Sequence, residues 1–113
     1  MSEPSGKLVI CRADEVLKGE FATRIVVEDV AYAVYYVDGR YYVSADQCTH
    51  GPGSLGEGTI IGEDVECPFH QGRFHIPTGR PTFPPCTEPV RVWTVHLDGD
   101  EIWIDRDEPQ THR

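Results

Sequence analysis

Two short motifs constrain this chain more than any other feature: Cys48-Thr49-His50 and Cys67-Pro68-Phe69-His70, with sixteen residues between His50 and Cys67. Each motif pairs one thiol with one imidazole. If all four side chains serve one centre, two loops must meet face to face. The rest of the fold must then supply a rigid frame to hold them. Gly51, Gly53, Gly56 and Gly72 suit such loops, because glycine lets backbone approach a bound group and point N–H groups at it. From Gln47 to Cys86 the chain is rich in Gly and Pro, with short strand-like pieces only at Thr59–Ile61, Val65–Glu66 and Arg73–Ile76. Residues 46–86 are therefore expected to form a small loop-rich subdomain inserted into a β scaffold.

The flanking sequence supplies that scaffold and reads as all-β. Lys7–Cys11 is a short apolar strand, and Ala13–Leu17 reads as a turn or a single helical turn. Phe21–Val27 and Val30–Val37 are rich in β-branched and aromatic residues, which fit a pleated, half-buried surface. Asp38-Gly39 separates Val30–Val37 from Arg40–Ser44, a sequence that favours a type I′ hairpin. Asp98-Gly99 repeats the device between Val90–Leu97 and Asp100–Asp105. In the first of these runs Trp93, Val95 and Leu97 share one face at period two. Glu108–Arg113 reads as a frayed tail.

Length and charge narrow the function. A chain of 113 residues fits a single domain, residues 1–113, with no room for a second catalytic one. The net charge of −9 disfavours nucleic acid, which is bound by clustered Lys and Arg, and anionic membrane surfaces. A partner with a basic patch fits better. Met1–Lys7 is polar and no apolar run approaches a membrane span, so the expectation is a cytoplasmic protein without a leader. In that compartment the four cysteines point to metal or redox use rather than disulfides. Cys11 and Cys86 are read as free thiols, Cys86 lying where it could shield a bound group.

The ligand chemistry leaves two main options. Thiolate suits zinc and iron–sulfur clusters, while imidazole suits iron and zinc. Zinc sites usually open with Cys-x₂₋₄-Cys and close with His-x₃₋₅-His, whereas here each loop pairs Cys with His. Cys₂His₂ ligation with both histidines on one iron defines the Rieske centre. The wider string Cys48-Thr-His-Gly51, Leu55-Gly-Glu-Gly58, Glu66-Cys-Pro-Phe-His-Gln-Gly-Arg-Phe74 and Thr78-Gly79 resembles the Rieske ferredoxins of bacterial aromatic-ring-hydroxylating dioxygenase systems, over nearly the whole chain. The resemblance implies a Rieske-type antiparallel β-sandwich or barrel. It implies one [2Fe–2S] cluster with Cys48 and Cys67 on one iron and His50 and His70 on the other. It also implies a monomeric electron carrier, not an enzyme, working between an NAD(P)H-dependent flavin reductase and a terminal Rieske oxygenase in aromatic hydrocarbon catabolism.

Departures from the wider family refine this. Membrane-anchored respiratory relatives carry an extra Cys in each ligand loop, which is absent here, and Ser and Tyr hydroxyls that bond the cluster sulfurs. The corresponding positions are Gly72 and Phe74. Hydrogen bonds to sulfur raise the potential, so the expected value lies toward the low end of roughly −150 to +300 mV. Reduction adds negative charge beside His50 and His70 and should raise their proton affinity, giving a potential that depends on alkaline pH. Cys48–Gly56 and Cys67–Gly72 hold no charged residue. Pro52, Leu55, Pro68 and Phe69 suggest an apolar docking tip, with Pro84-Pro85 beside it and a rim of Asp46, Glu57, Glu63, Asp64 and Glu66. Gly51-Pro-Gly-Ser-Leu-Gly56 matches a dinucleotide-binding pattern but lacks the strand and helix that such a site needs. Other readings are the Rieske subunit of a nitrite reductase or monooxygenase, or a structural zinc module. A thiol oxidoreductase lacks Cys-x-x-Cys, and a terminal oxygenase needs a second, iron-binding domain.

Overall fold

A computed structural model describes residues 6–49 and 51–108. His50, the first five residues and residues 109–113 lie outside it, and with them most of the tail read as frayed. The described residues form eleven strands in three antiparallel sheets. The first sheet contains β1 (Lys7–Arg12), β11 (Glu101–Asp105) and β10 (Val95–Asp98), in that order. The second runs β2 (Thr23–Val27), β3 (Val30–Val37), β4 (Arg40–Ala45), β9 (Val92–Trp93). The third runs β5 (Thr59–Ile61), β6 (Asp64–Glu66), β7 (Arg73–His75), β8 (Pro81–Phe83). A short 3₁₀ turn at Ala13–Glu15 follows β1, as expected there.

Strand β3 explains how the pieces stack. Side chains alternate across a strand, so an apolar run without polar interruptions marks one that is buried on both faces. Tyr32 and Val34 join Leu8, Ile10, Ile102 and Ile104 in a core beneath the first sheet. Ala33, Tyr35 and Val37 face the other way, into a core shared with Cys48, Leu55, Cys67, Phe74 and Cys86. One strand thus fixes the scaffold on one side and the ligand-bearing subdomain on the other.

The structure changes several expectations. Val90–Leu97 is not one strand. It breaks at Thr94 into β9, paired with β4, and β10, paired with β11. The chain leaves one sheet and enters the next there, as strands do at the corners of sandwiches. Trp93 and Val95 still pack against one core, from different sheets, whereas Leu97 is 57% exposed. The last hairpin closes on Asp98 and Glu101, so its turn is Gly99-Asp100 rather than Asp98-Gly99. Asp38 and Gly39 have φ of 51° and 80°, the pair of positive values that a type I′ turn requires. An unexpected turn of the same sign lies at Glu28-Asp29, with φ of 53° and 66°, between the Val27 and Val30 partners. The middle region is also more ordered than its composition implies, since β5–β8 form a continuous four-stranded sheet.

Candidate metal centre

Three loops carry the site, and each is tied down by its own hydrogen bonds. The first leaves β4 at Ala45. Asp46, 7% exposed, directs its carboxylate back across the loop. Its Oδ1 accepts from Ser54 Oγ and Gly56 N–H, both at 2.8 Å, and its Oδ2 lies 3.4 Å from Arg24 Nε of β2. Its backbone carbonyl accepts from Leu55 N–H at 2.7 Å, and Cys48 N–H donates to Gly53 O at 2.9 Å. Asp46 is therefore an internal clamp and not part of an acidic rim. Leu55, fully buried, is core and not docking surface. Both were misassigned because their burial depends on contacts between distant segments.

The second loop joins β6 to β7. Cys67 N–H donates to Gly72 O at 2.8 Å, which closes the loop at its base. His70 and Gln71 both take left-handed backbone conformations, with φ of 66° and 58°. Such conformations in residues other than glycine store strain and recur at functional sites. They turn the His70 side of the loop outward. Its tip is open: Pro68 and His70 are exposed, Phe69 is half-buried, and the Phe69 and His70 rings sit 4.1 Å apart.

The loops meet where the motif spacing predicts. A Cβ at Gly53 would lie 2.4 Å from Cys67 Sγ, so only glycine admits the second-loop sulfur against the first loop. A Cβ at Gly51 would strike the Phe69 ring at 2.5 Å. Gly56 has a different reason to be glycine: its neighbours are Arg24 and Asp46, within the clamp. The Cys48 and Cys67 thiols are buried and interact with each other. Phe69 N–H points at Cys67 Sγ from 3.4 Å. Burial above all, with Cys48 beside it, pushes the Cys67 thiol up to about 11, against the lowering effect of that N–H. Among the described residues, which exclude His50, no three His, Cys, Asp or Glu side chains converge as a ligand group for a single ion.

The third loop follows β8 and carries Pro84-Pro85 and Cys86, which the sequence places beside the site. Pro84 and Pro85 are exposed, whereas Cys86 is buried with its Sγ 3.9 Å from Cys48 Sγ. Thr49 Oγ1 donates to Glu88 O at 2.8 Å and ties this loop to the first. Burial raises the Cys86 thiol above its ordinary value, keeping it neutral. Beneath the two sulfurs lies Tyr35, buried on β3, with its hydroxyl 2.8 Å from Ser44 Oγ. Burial is the main reason its phenol stays protonated far above the usual range, and nearby Asp46, Cys48 and Cys67 add to it.

His75, His96 and Cys11 have structural roles. His75 Nδ1 lies 2.8 Å from Thr78 Oγ1 and its Nε2 lies 3.1 Å from Glu63 Oε1, which fixes the β7 end. His96 stacks on Trp103 and pairs with Glu108. Cys11 is a buried free thiol in β1, as expected.

Three buried sulfurs, a backbone N–H donor and an exposed imidazole suit an iron–sulfur cluster. Burial keeps such thiols protonated, and a bound metal supplies the positive charge that would ionise them. Residues 6–94 match the model of the Rieske [2Fe-2S] domain. The chain belongs to the Rieske [2Fe–2S] domain family. Its cofactor is accordingly a Rieske [2Fe–2S] cluster. The chain is 39% identical over 97 residues to the ferredoxin component of the p-cumate 2,3-dioxygenase system of Pseudomonas putida, covering 85% of this chain and 82% of that protein. Its fold matches the ferredoxin of Sphingomonas yanoikuyae B1 with a TM-score of 0.83 and 37% identity, over 88% of this chain and 98% of the other. It also matches a chain in the complex of reduced oxygenase and oxidised ferredoxin of carbazole 1,9a-dioxygenase, with a TM-score of 0.79, 37% identity, and coverage of 92% and 96%. Among the described residues no helix is long and apolar enough to cross a membrane.

Proposed function

We propose that Cys48 and Cys67 hold one iron of the cluster, that His50 and His70 hold the other, and that the chain is the ferredoxin of a multicomponent aromatic-ring dioxygenase. The observation that carries the ligand assignment is the fit of Cys67 Sγ against Gly53, which brings the two motif loops together across sixteen intervening residues. The cluster supplies one-electron redox chemistry. The protein's part is to bury the sulfur side in the core below β3 and leave the His70 side open. Electrons would enter from an NAD(P)H-dependent flavin reductase and leave to a terminal Rieske oxygenase, both docking transiently at the open tip. Pro52, Pro68, Phe69, Pro84 and Pro85 offer it an apolar surface, and exposed Glu57 and Glu63 offer an acidic margin. The chain is read as one Rieske domain, with residues 46–86 as the cluster-bearing part, acting as a monomer in the cytoplasm.

The test is spectroscopic and then kinetic. Purified protein should contain two irons, and its reduced form should give a Rieske-type EPR signal. Cys48→Ser or His70→Ala should abolish that signal. Rapid mixing should then show reduction by a flavin reductase and reoxidation by an aromatic-ring oxygenase with substrate present. Colourless protein with stoichiometric zinc would defeat the assignment.

A further inference from the structure

Cys86 is buried, lies outside both ligand motifs, and is not needed to complete the ligand set. Two independent observations give it a specific place. Its sulfur is 3.9 Å from Cys48 Sγ, within hydrogen-bond range for sulfur. It also occupies the room that Gly72 leaves: a Cβ at residue 72 would lie 2.3 Å from Cys86 Sγ and 3.2 Å from Cys86 N. A side chain at 72 and the thiol at 86 are thus mutually exclusive, and this chain uses the thiol.

Cys67 Sγ has a backbone donor, Phe69 N–H, at 3.4 Å. Cys48 Sγ has the Cys86 thiol at 3.9 Å, a side-chain group that can donate to it. A thiol is a weak donor, but one aimed at an ionised acceptor in a dry pocket gains strength. The interaction strengthens as negative charge builds on the acceptor, so it favours the reduced form.

We infer that the Cys86 thiol donates a hydrogen bond to the Cys48 sulfur and thereby raises the potential of the cluster, acting as a positioning residue on the third loop. The inference rests on the ligand assignment made above. It replaces part of what Gly72 and Phe74, which carry no hydroxyl, do not supply. The donor's reach depends on Gly72, so the two positions act as one unit.

The experiment compares wild type, Cys86→Ser and Cys86→Ala as loaded proteins, by iron content, EPR, redox titration and redox-difference infrared spectroscopy. Cys86→Ser keeps a donor and should hold the oxidised-to-reduced equilibrium within about threefold of wild type. Cys86→Ala should shift it toward the oxidised form by roughly tenfold, a fall of about 59 mV for a one-electron couple. In wild type, reduction should move a band in the S–H stretching region, and that band should vanish in Cys86→Ser. This measurement stands even if Cys86→Ala does not retain its cluster, because it needs no apolar variant. An unmoved S–H band, or a loaded Cys86→Ala with the wild-type potential, overturns the inference while leaving the ligand set intact. A wild type without a Rieske-type signal overturns the ligand assignment, and the inference with it.

Discussion

At the scale of single residues, the site depends on positions where one atom too many closes it. Gly53→Ala would place a methyl 2.4 Å from Cys67 Sγ and 2.7 Å from Phe69 Cβ. We expect this variant to be purified with less than about a tenth of the wild-type visible absorbance per chain. Gly19→Ala, where a Cβ meets nothing within 4 Å, should load normally and serve as the control. Cys11 gives a pH prediction. Burial first, then Glu15 and Asp14, raise its thiol from 9.0 to about 11. The folded protein therefore holds this proton more tightly than the unfolded chain. The resulting stabilisation is complete below pH 9 and is lost as pH rises to about 11. Urea midpoints measured across that window should fall less steeply in Cys11→Ala than in wild type. Parallel curves would show that Cys11 contributes nothing. The ligand candidates were legible because thiol and imidazole at fixed spacing are rare for any other purpose. Asp46 and Leu55 were not, because nothing local tells a buried carboxylate from a rim charge, or a core leucine from an exposed one; Cys86 was legible as a shield near the site, but not its contact with Cys48. Their surroundings are assembled from β2, the second loop and the third loop.

Among the elements, the strands whose neighbours are close in sequence were the readable ones. Val30–Val37 is matched to the residue, since its uninterrupted apolar run and the following Asp-Gly are both local signals. The break at Thr94 was hidden because Trp93 and Val95 continue the same period-two pattern while serving different sheets. Strand β8 was missed because Pro81 opens it and only three residues form it. The Glu28-Asp29 turn was missed because it has positive φ without a glycine. That turn carries avoidable strain, since left-handed geometry costs an L-residue roughly 1–2 kcal/mol. Replacing the pair with Asn-Gly should stabilise the fold by about 1 kcal/mol and raise the thermal midpoint by about 4 °C. The exposed Arg106–Glu28 pair at 3.6 Å is lost in the exchange, at little cost for a solvated ion pair. A calorimetric scan showing no rise would mean that the turn is already relaxed.

For the molecule as a whole, charge and topology set its behaviour. With a net charge of −9, encounters with a basic partner should be steered over long range. We expect the second-order rate of reduction by the proposed flavin reductase partner to fall about tenfold as ionic strength rises from ~0.01 to ~0.15 M, where the screening length contracts from about 30 to 8 Å. A rate indifferent to salt would place recognition in the apolar tip alone. The sequence anticipated the acidic balance, but not where the carboxylates point, as Asp46 shows. Lys7 pairs with Asp105, and Arg106 N–H donates to Gly6 O at 2.9 Å, so the first and last described strands adjoin. Strand β1 therefore waits for the far end of the chain before it can pair, a slow closure in a folding reaction. Linking residue 6 to residue 106 and opening the chain at exposed Gly19 would make that pairing local while keeping β10–β11 a hairpin. The permuted chain should refold faster than the natural order while presenting the same iron site.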